Sequence, residues 1–240
     1  MIRTIGWFVY FFGYLAAVSP HLRKAKKLER ENAPELEEYM RKISSVWASR
    51  LLQKAGAEIH ARGAEELPEG PVLFAANHQG NFDIPLILAT SGRKTGFISK
   101  KEVRKLPLIG AWMDLLSCVF IDRKDRRQSL QAMKEGAEVL KRGSSLVVFP
   151  EGTRSRGGHM GEFKQGSFML AKHVPVIPVL IENTYTLMEQ NNGKITPGSV
   201  SITYGEPIKD HLEQPMKPKQ LSELVEKRLR NMQEEAADYA

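Results

Sequence analysis

Cysteine is almost absent. Among 240 residues only Cys118 carries a thiol, so no internal disulfide can form and no cysteine-rich zinc module can be built. No two of the six histidines stand four apart, which excludes the helical metal pair of a zinc protease. The chain also lacks the G-x-S-x-G turn that presents a hydrolase serine, and the G-x-x-x-x-G-K-[ST] loop of a nucleotide-binding ATPase. Internal repeats and low-complexity linkers are missing. The longest apolar run, residues 5–18, falls short of the ~20 residues that a membrane-crossing helix needs.

What is present suits a sizeable α/β domain with an appended piece. Hydrophobic residues make up 42% and charged residues 26%, which excludes wholesale disorder and leaves enough apolar material for a core. The net charge of +7 is concentrated in residues 1–60, 93–127 and 141–172. Basic blocks of this kind suit anionic partners: phosphate, nucleic acid or an anionic membrane. A nucleic-acid module would interleave aromatics with its basic blocks. Here six aromatics sit in residues 5–18, away from the largest basic block, so nucleic acid is not the expected partner.

As a helix, residues 5–18 would reach about 21 Å, short of a roughly 30 Å hydrocarbon core. Arg3 precedes the run, and Arg23, Lys24, Lys26 and Lys27 follow it. A signal peptide shares some of these features. Dense aromatics with basic flanks fit insertion at the headgroup boundary better. Pro34 opens a second helical pattern that ends at Gly56. Residues 1–56 are therefore expected to be a helical pair that associates with a membrane, and residues 57–240 an α/β domain.

In that domain, short apolar runs at 72–76, 95–99, 118–121, 146–149, 176–181 and 200–204 read as strands. Helical patterns fall near 84–91, 126–142, 164–172 and 219–235. Continuous apolar strands between helices predict a largely parallel sheet covered on both faces, with ligands outside the strands' carboxyl ends.

Two stretches carry chemistry. Directly after the first predicted strand come Asn77, His78, Gln79, Gly80, Asn81, Phe82 and Asp83. On a continuous helix His78 and Asp83 would lie about 140° apart, so they meet only if the chain turns between them. Gly80 and Asn81 permit that turn. Asp83 would then accept a hydrogen bond from one imidazole nitrogen and raise the basicity of the other. Alternatively, Asp83 simply caps the next helix and His78 is a polar loop residue. The second stretch is Phe149-Pro150-Glu151-Gly152-Thr153-Arg154-Ser155, a buried strand running into a basic loop. Gly152 lets backbone approach a ligand, and the planar fork of Arg154 suits a phosphate. Glu151 is expected to orient a cation or a substrate hydroxyl. In the plainer reading this is a solvated surface turn.

Together, NHxxxxD after a strand and FPEGTRS some seventy residues later resemble the glycerolipid acyltransferase family. The blocks Ser99-Lys100-Lys101-Glu102 with Phe120-Ile121-Asp122-Arg123, and Val174-Pro175-Val176-Ile177-Pro178-Val179, resemble its other two motifs. The resemblance spans about residues 70–182, and departs at Gly80, where many relatives have serine. It implies an O-acyltransferase that moves a fatty acyl group from an acyl thioester to the sn-2 hydroxyl of 1-acylglycerol 3-phosphate, giving phosphatidic acid. Another lysolipid acceptor is the alternative. The implied site has His78 as general base and Asp83 as its partner. Arg154, Lys100 and Lys164 would bind the acceptor phosphate, with Arg123 a weaker candidate, and Asn77, Glu151, Gly152 and Thr153 would support the site. No metal or cofactor is implied. The donor would be acyl-CoA or acyl-carrier protein, and the implied location is the cytoplasmic face of a membrane, monotopic or peripheral.

Overall fold

A computed structural model describes residues 1–238. Its centre is a seven-stranded sheet. In chain order the strands are β1 (Ala57–Arg62), β2 (Leu73–Ala76), β3 (Thr95–Lys100), β4 (Val119–Ile121), β5 (Ser145–Val148), β6 (Val176–Glu182) and β7 (Gly198–Tyr204). Across the sheet they run β1-β7-β6-β2-β5-β3-β4. Every neighbouring pair is parallel except β6 with β7, where Val179 faces Tyr204. The central strands β2 and β5 are buried at every residue, which is why their side chains form unbroken apolar runs.

Eight α-helices flank the sheet among the described residues: α1 (Ile2–Ala17), α2 (Ser19–Arg30), α3 (Glu35–Ala55), α4 (Asp83–Thr90), α5 (Ile109–Leu115), α6 (Arg126–Lys141), α7 (Asp210–Glu213) and α8 (Pro218–Asp238). Alternate residues of the strands divide the core in two. Phe74, Val147, Ile177 and Val179 point to the face covered by α1 to α5, where they join Met40, Leu52, Leu86 and Leu116. Leu73, Leu146, Val148 and Val176 point to the opposite face, where α6 and α8 bring Leu140, Val225 and Leu229. The result is a three-layer α/β/α arrangement.

The amino-terminal segment holds three helices where a pair was expected. Pro20 sits at the start of α2 and Val18 ends α1, so the chain bends by 44° and continues as helix. Leu22 and Ala25, spaced by three inside the basic stretch, are buried on one side of α2, and the surrounding Arg and Lys residues disguise that spacing. Helix α3 ends at Gly56, whose φ of +79° is the left-handed cap that glycine adopts without strain. The first core cluster includes Trp7, Leu22, Met40 and Leu52 together with residues of the sheet, so it crosses the boundary at 56/57.

Three other elements differ from the sequence reading. β1 is an edge strand with mostly exposed side chains, so it lacks an apolar run. α5 is a two-turn helix in a segment too short to display a period. Residues 165–173 wind as 3₁₀ helix and bury Phe168, Leu170 and Ala171.

Candidate active site

The carboxyl ends of β2, β3, β5 and β6 deliver the site residues to one edge of the sheet, where ligands of parallel sheets bind. Asn77 ends β2. Its amide donates to Ile181 O at 2.8 Å and its carbonyl oxygen accepts from Ile181 N at 2.7 Å, tying the loop after β2 to β6. Asn77 is thus a structural brace and does not reach the ligand space.

His78 and Asp83 meet across the turn. The imidazole Nδ1 lies 2.7 Å from Asp83 Oδ2. A carboxylate can only accept, so the proton sits on Nδ1 and the lone pair of the neutral ring sits on Nε2. Among the described residues Nε2 has no hydrogen-bond partner. Asp83 is fully buried. Its Oδ2 also accepts from the amides of Gln79 at 2.7 Å and Gly80 at 3.0 Å, and its Oδ1 accepts from the Thr184 hydroxyl. As the first residue of α4, it also places its charge at the positive end of a helix. Of the two sequence readings of Asp83, the structure bears out the orienting one: Phe82 occupies the N-cap of α4, no side chain caps that helix, and the Asp83 carboxylate faces the histidine turn instead. Phe149 stacks on the imidazole, with ring centroids 3.9 Å apart and planes 17° apart.

Glu151 differs from its expected role. It is buried, and it holds backbone: His78 N donates to Oε1 at 2.6 Å and Gly161 N donates to Oε2 at 2.8 Å. Burial pushes its carboxyl pKa up, and the two amide hydrogen bonds oppose that shift. No cation or substrate hydroxyl is needed to explain it. The loop after β5 is further sewn to the histidine turn by Ser155 N donating to His78 O at 2.8 Å and Arg156 N to Gln79 O at 3.1 Å.

Beside the histidine opens a cavity of about 700 Å³. One wall is apolar, with Trp7 and Phe11 of α1, Met40 and Trp47 of α3, Phe82 and Leu88 around α4, and Trp112 of α5. His78, Thr153, Lys100, Arg123, Arg154 and Arg156 also line it. Cationic and apolar side chains thus line the same cavity as the imidazole. Arg154 Nη1 donates to Asn81 Oδ1 at 2.6 Å and pairs with Glu189 Oε1 at 3.3 Å. The Arg123 guanidinium donates to Gly152 O, and burial lowers its pKa. Lys164 is the expected cation that does not line the cavity. Its ammonium packs against Gly152, where a Cβ would come within 2.8 Å of Nζ, and Gly152 has a φ of +70°.

Phe149, Thr184 and Glu189 were not singled out from sequence. Phe149 lies inside the recognised FPEGTRS block, so the block itself pointed to it. Thr184 and Glu189 carry no local signal. No cluster of three or more His, Cys, Asp or Glu side chains suited to a metal exists among the described residues.

Comparison with known proteins gives the family. Residues 58–182 match the acyltransferase family. A chloroplastic 1-acyl-sn-glycerol-3-phosphate acyltransferase of Arabidopsis thaliana is 34% identical over 171 residues, covering 69% of this chain and 48% of that protein. The 1-acyl-sn-glycerol-3-phosphate acyltransferase of Saccharomyces cerevisiae is 32% identical over 158 residues, covering 64% and 52%. The chain spans about half the length of the curated relatives it matches. The crystal structure of the 1-acyl-sn-glycerophosphate acyltransferase PlsC from Thermotoga maritima superposes with a TM-score of 0.78 at 30% identity, covering 97% of both chains. By its matched segment and by the fold that carries it, the chain belongs to the acyltransferase family.

Proposed function

We propose that this protein transfers a fatty acyl group from an acyl thioester to the free sn-2 hydroxyl of 1-acylglycerol 3-phosphate. The observation that carries this reading is the imidazole of His78, oriented by buried Asp83, in the wall of a cavity that is lined by both cationic and apolar side chains. Nε2 takes the proton of the acceptor hydroxyl as its oxygen attacks the thioester carbonyl carbon. Asp83 stabilises the imidazolium that results. When the tetrahedral intermediate collapses, the C–S bond breaks and Nε2 returns the proton to the thiolate. No protein nucleophile is required, so transfer is direct between two bound substrates. Arg154 and Lys100, with Arg123 and Arg156 beside them, supply charge for the acceptor phosphate. The apolar wall takes a fatty chain. The donor is carried on coenzyme A or acyl-carrier protein.

The membrane supplies such lipids, and α1 offers a means of reaching it. Ile2, Ile5, Val9 and Phe12 are exposed along α1, while Trp7 and Leu15 on its other side are buried. Among the described residues no single helix is long and apolar enough to cross a membrane, although α1 and α2 together, bent by 44°, match that length and composition. An exposed apolar stripe followed by the cations of α2 suits docking at an anionic headgroup boundary.

The test is an assay of purified protein with 1-acylglycerol 3-phosphate and matched acyl-CoA or acyl-carrier protein, read by product mass. Phosphatidic acid is expected with one donor at least. Loss of that product with both donors, alongside acylation of another lysolipid, would transfer the proposal to that acceptor.

A further inference from the structure

Glu189 lies past the end of β6 and outside the matched residues 58–182. Its side chain is only 6% exposed. Oε1 accepts from Asn81 N at 2.8 Å and pairs with Arg154 Nη1 at 3.3 Å, while Asn81 Oδ1 holds the same guanidinium nitrogen at 2.6 Å. Oε2 is buried with no hydrogen-bond partner among the described residues. An unpartnered buried carboxylate oxygen is costly, so something must hold it there.

The occupied space belongs to Gly80. A Cβ on Gly80 would stand 2.5 Å from Glu189 Oε2 and 2.8 Å from its Cδ. Gly80 is not among the glycines with positive φ, so its backbone does not require glycine. Space does. A side chain at position 80 would force the carboxylate end of Glu189 to shift, and with it the acceptor that pins Arg154. As the structure stands, Arg154 Nη2 and Nε make no hydrogen bond among the described residues. Nη1 is fixed by Glu189 and Asn81, and the rest of the planar fork is left for a ligand oxygen pair.

We propose that Glu189 is a positioning residue that fills the side-chain space of Gly80 and fixes Arg154 for the acceptor phosphate, so that Gly80 and Glu189 determine acceptor recognition as one unit. The proposal rests on the reading of Arg154 as a phosphate ligand given above. A carboxylate beside a phosphate site weakens the local positive field. Glu189 therefore helps only if orienting the fork outweighs that loss, and kinetics can separate the two.

The experiment measures steady-state kinetics of Gly80→Ala, Glu189→Ala, the double variant and Glu189→Gln with 1-acylglycerol 3-phosphate and an acyl thioester, beside a crystal structure of Gly80→Ala. Each alanine variant should raise the acceptor KM about tenfold, leaving the donor KM unchanged and kcat within about threefold. The double variant should also show about a tenfold rise, because both substitutions cause the same event. Glu189→Gln keeps an Oε1 acceptor and should stay within about threefold of the parent. A lower acceptor KM in Glu189→Ala would make Glu189 a competing lock and overturn the proposal, as would multiplying effects in the double variant. An inactive parent protein would count against the acyltransferase reading alone. The crystal structure then decides: Glu189 displaced from Arg154 in Gly80→Ala supports the coupling, and Glu189 still bonded to Asn81 and Arg154 refutes it.

Discussion

Asp83 has four hydrogen-bond donors around one buried carboxylate: the His78 ring, two backbone amides and the Thr184 hydroxyl. Its replacement by Asn is therefore harsher than loss of charge alone. One carboxylate oxygen becomes an NH2 that must face donors, leaving buried groups unsatisfied at a cost of about 1–3 kcal/mol. His78→Ala should lower kcat by at least about 10²–10⁴-fold with little change in melting temperature, since it removes a base from a loop. Asp83→Asn should match that kinetic loss and melt earlier as well. Thr184→Val is the finer test. It removes one donor from Asp83 while preserving shape, so the expected loss is about tenfold in kcat, with a modest fall in melting temperature. A Thr184→Val enzyme with full activity would show that the remaining three donors hold the pair unaided.

Among the elements, α1 separates two jobs by face. Trp7 donates its indole N–H to Leu51 O at 3.0 Å and packs on Phe82, whereas Ile5 and Val9 are 59% and 68% exposed. Substituting both exposed residues, Ile5→Asp with Val9→Asp, should abolish sedimentation with anionic vesicles. The melting temperature and the turnover of short-chain, soluble substrates should be unchanged. Vesicle binding that survives would assign the membrane contact to another surface. The elements also show what a reader of the sequence can reach. The strands β2, β5 and β6 were legible because burial on both faces leaves uninterrupted apolar runs. His78 with Asp83 was legible because both lie in one turn, five residues apart. β1 was not, since an exposed edge strand has no apolar pattern. Neither were Thr184 and Glu189, whose work depends on β6 lying beside β2, more than a hundred residues away in the chain. Glu151 was noticed but misread: the sequence shows a carboxylate beside Arg154, while the backbone amides it holds become visible only once the loops meet.

Across the whole molecule, the amino-terminal helices and the sheet share one core. Besides Trp7, Arg3 donates to Ala55 O at 3.0 Å, and Ile195 N donates to Thr4 Oγ1 at 2.9 Å. Deleting residues 1–17 would remove these ties and part of the cavity wall together. Exposure of a large core aromatic alone costs about 3 kcal/mol or more. For a chain of this size that is a drop of roughly 6–12 °C in melting temperature, to be read by calorimetry. Activity toward long-chain substrates should fall even in detergent micelles, where membrane attachment is no longer needed. Unchanged melting and micellar activity would show α1 to be an attachment only.

The brace between Asn77 and Ile181, with Thr184 just beyond it, bears on how such enzymes can be recombined. A chimaera that exchanges the block from His78 to Arg154 but takes its β6 from another parent would join an acid–base pair to a foreign support. The crossover point that conserves function lies after Glu189 rather than at residue 182. Exchanges made there should yield active hybrids more often than cuts through the loop that follows β6.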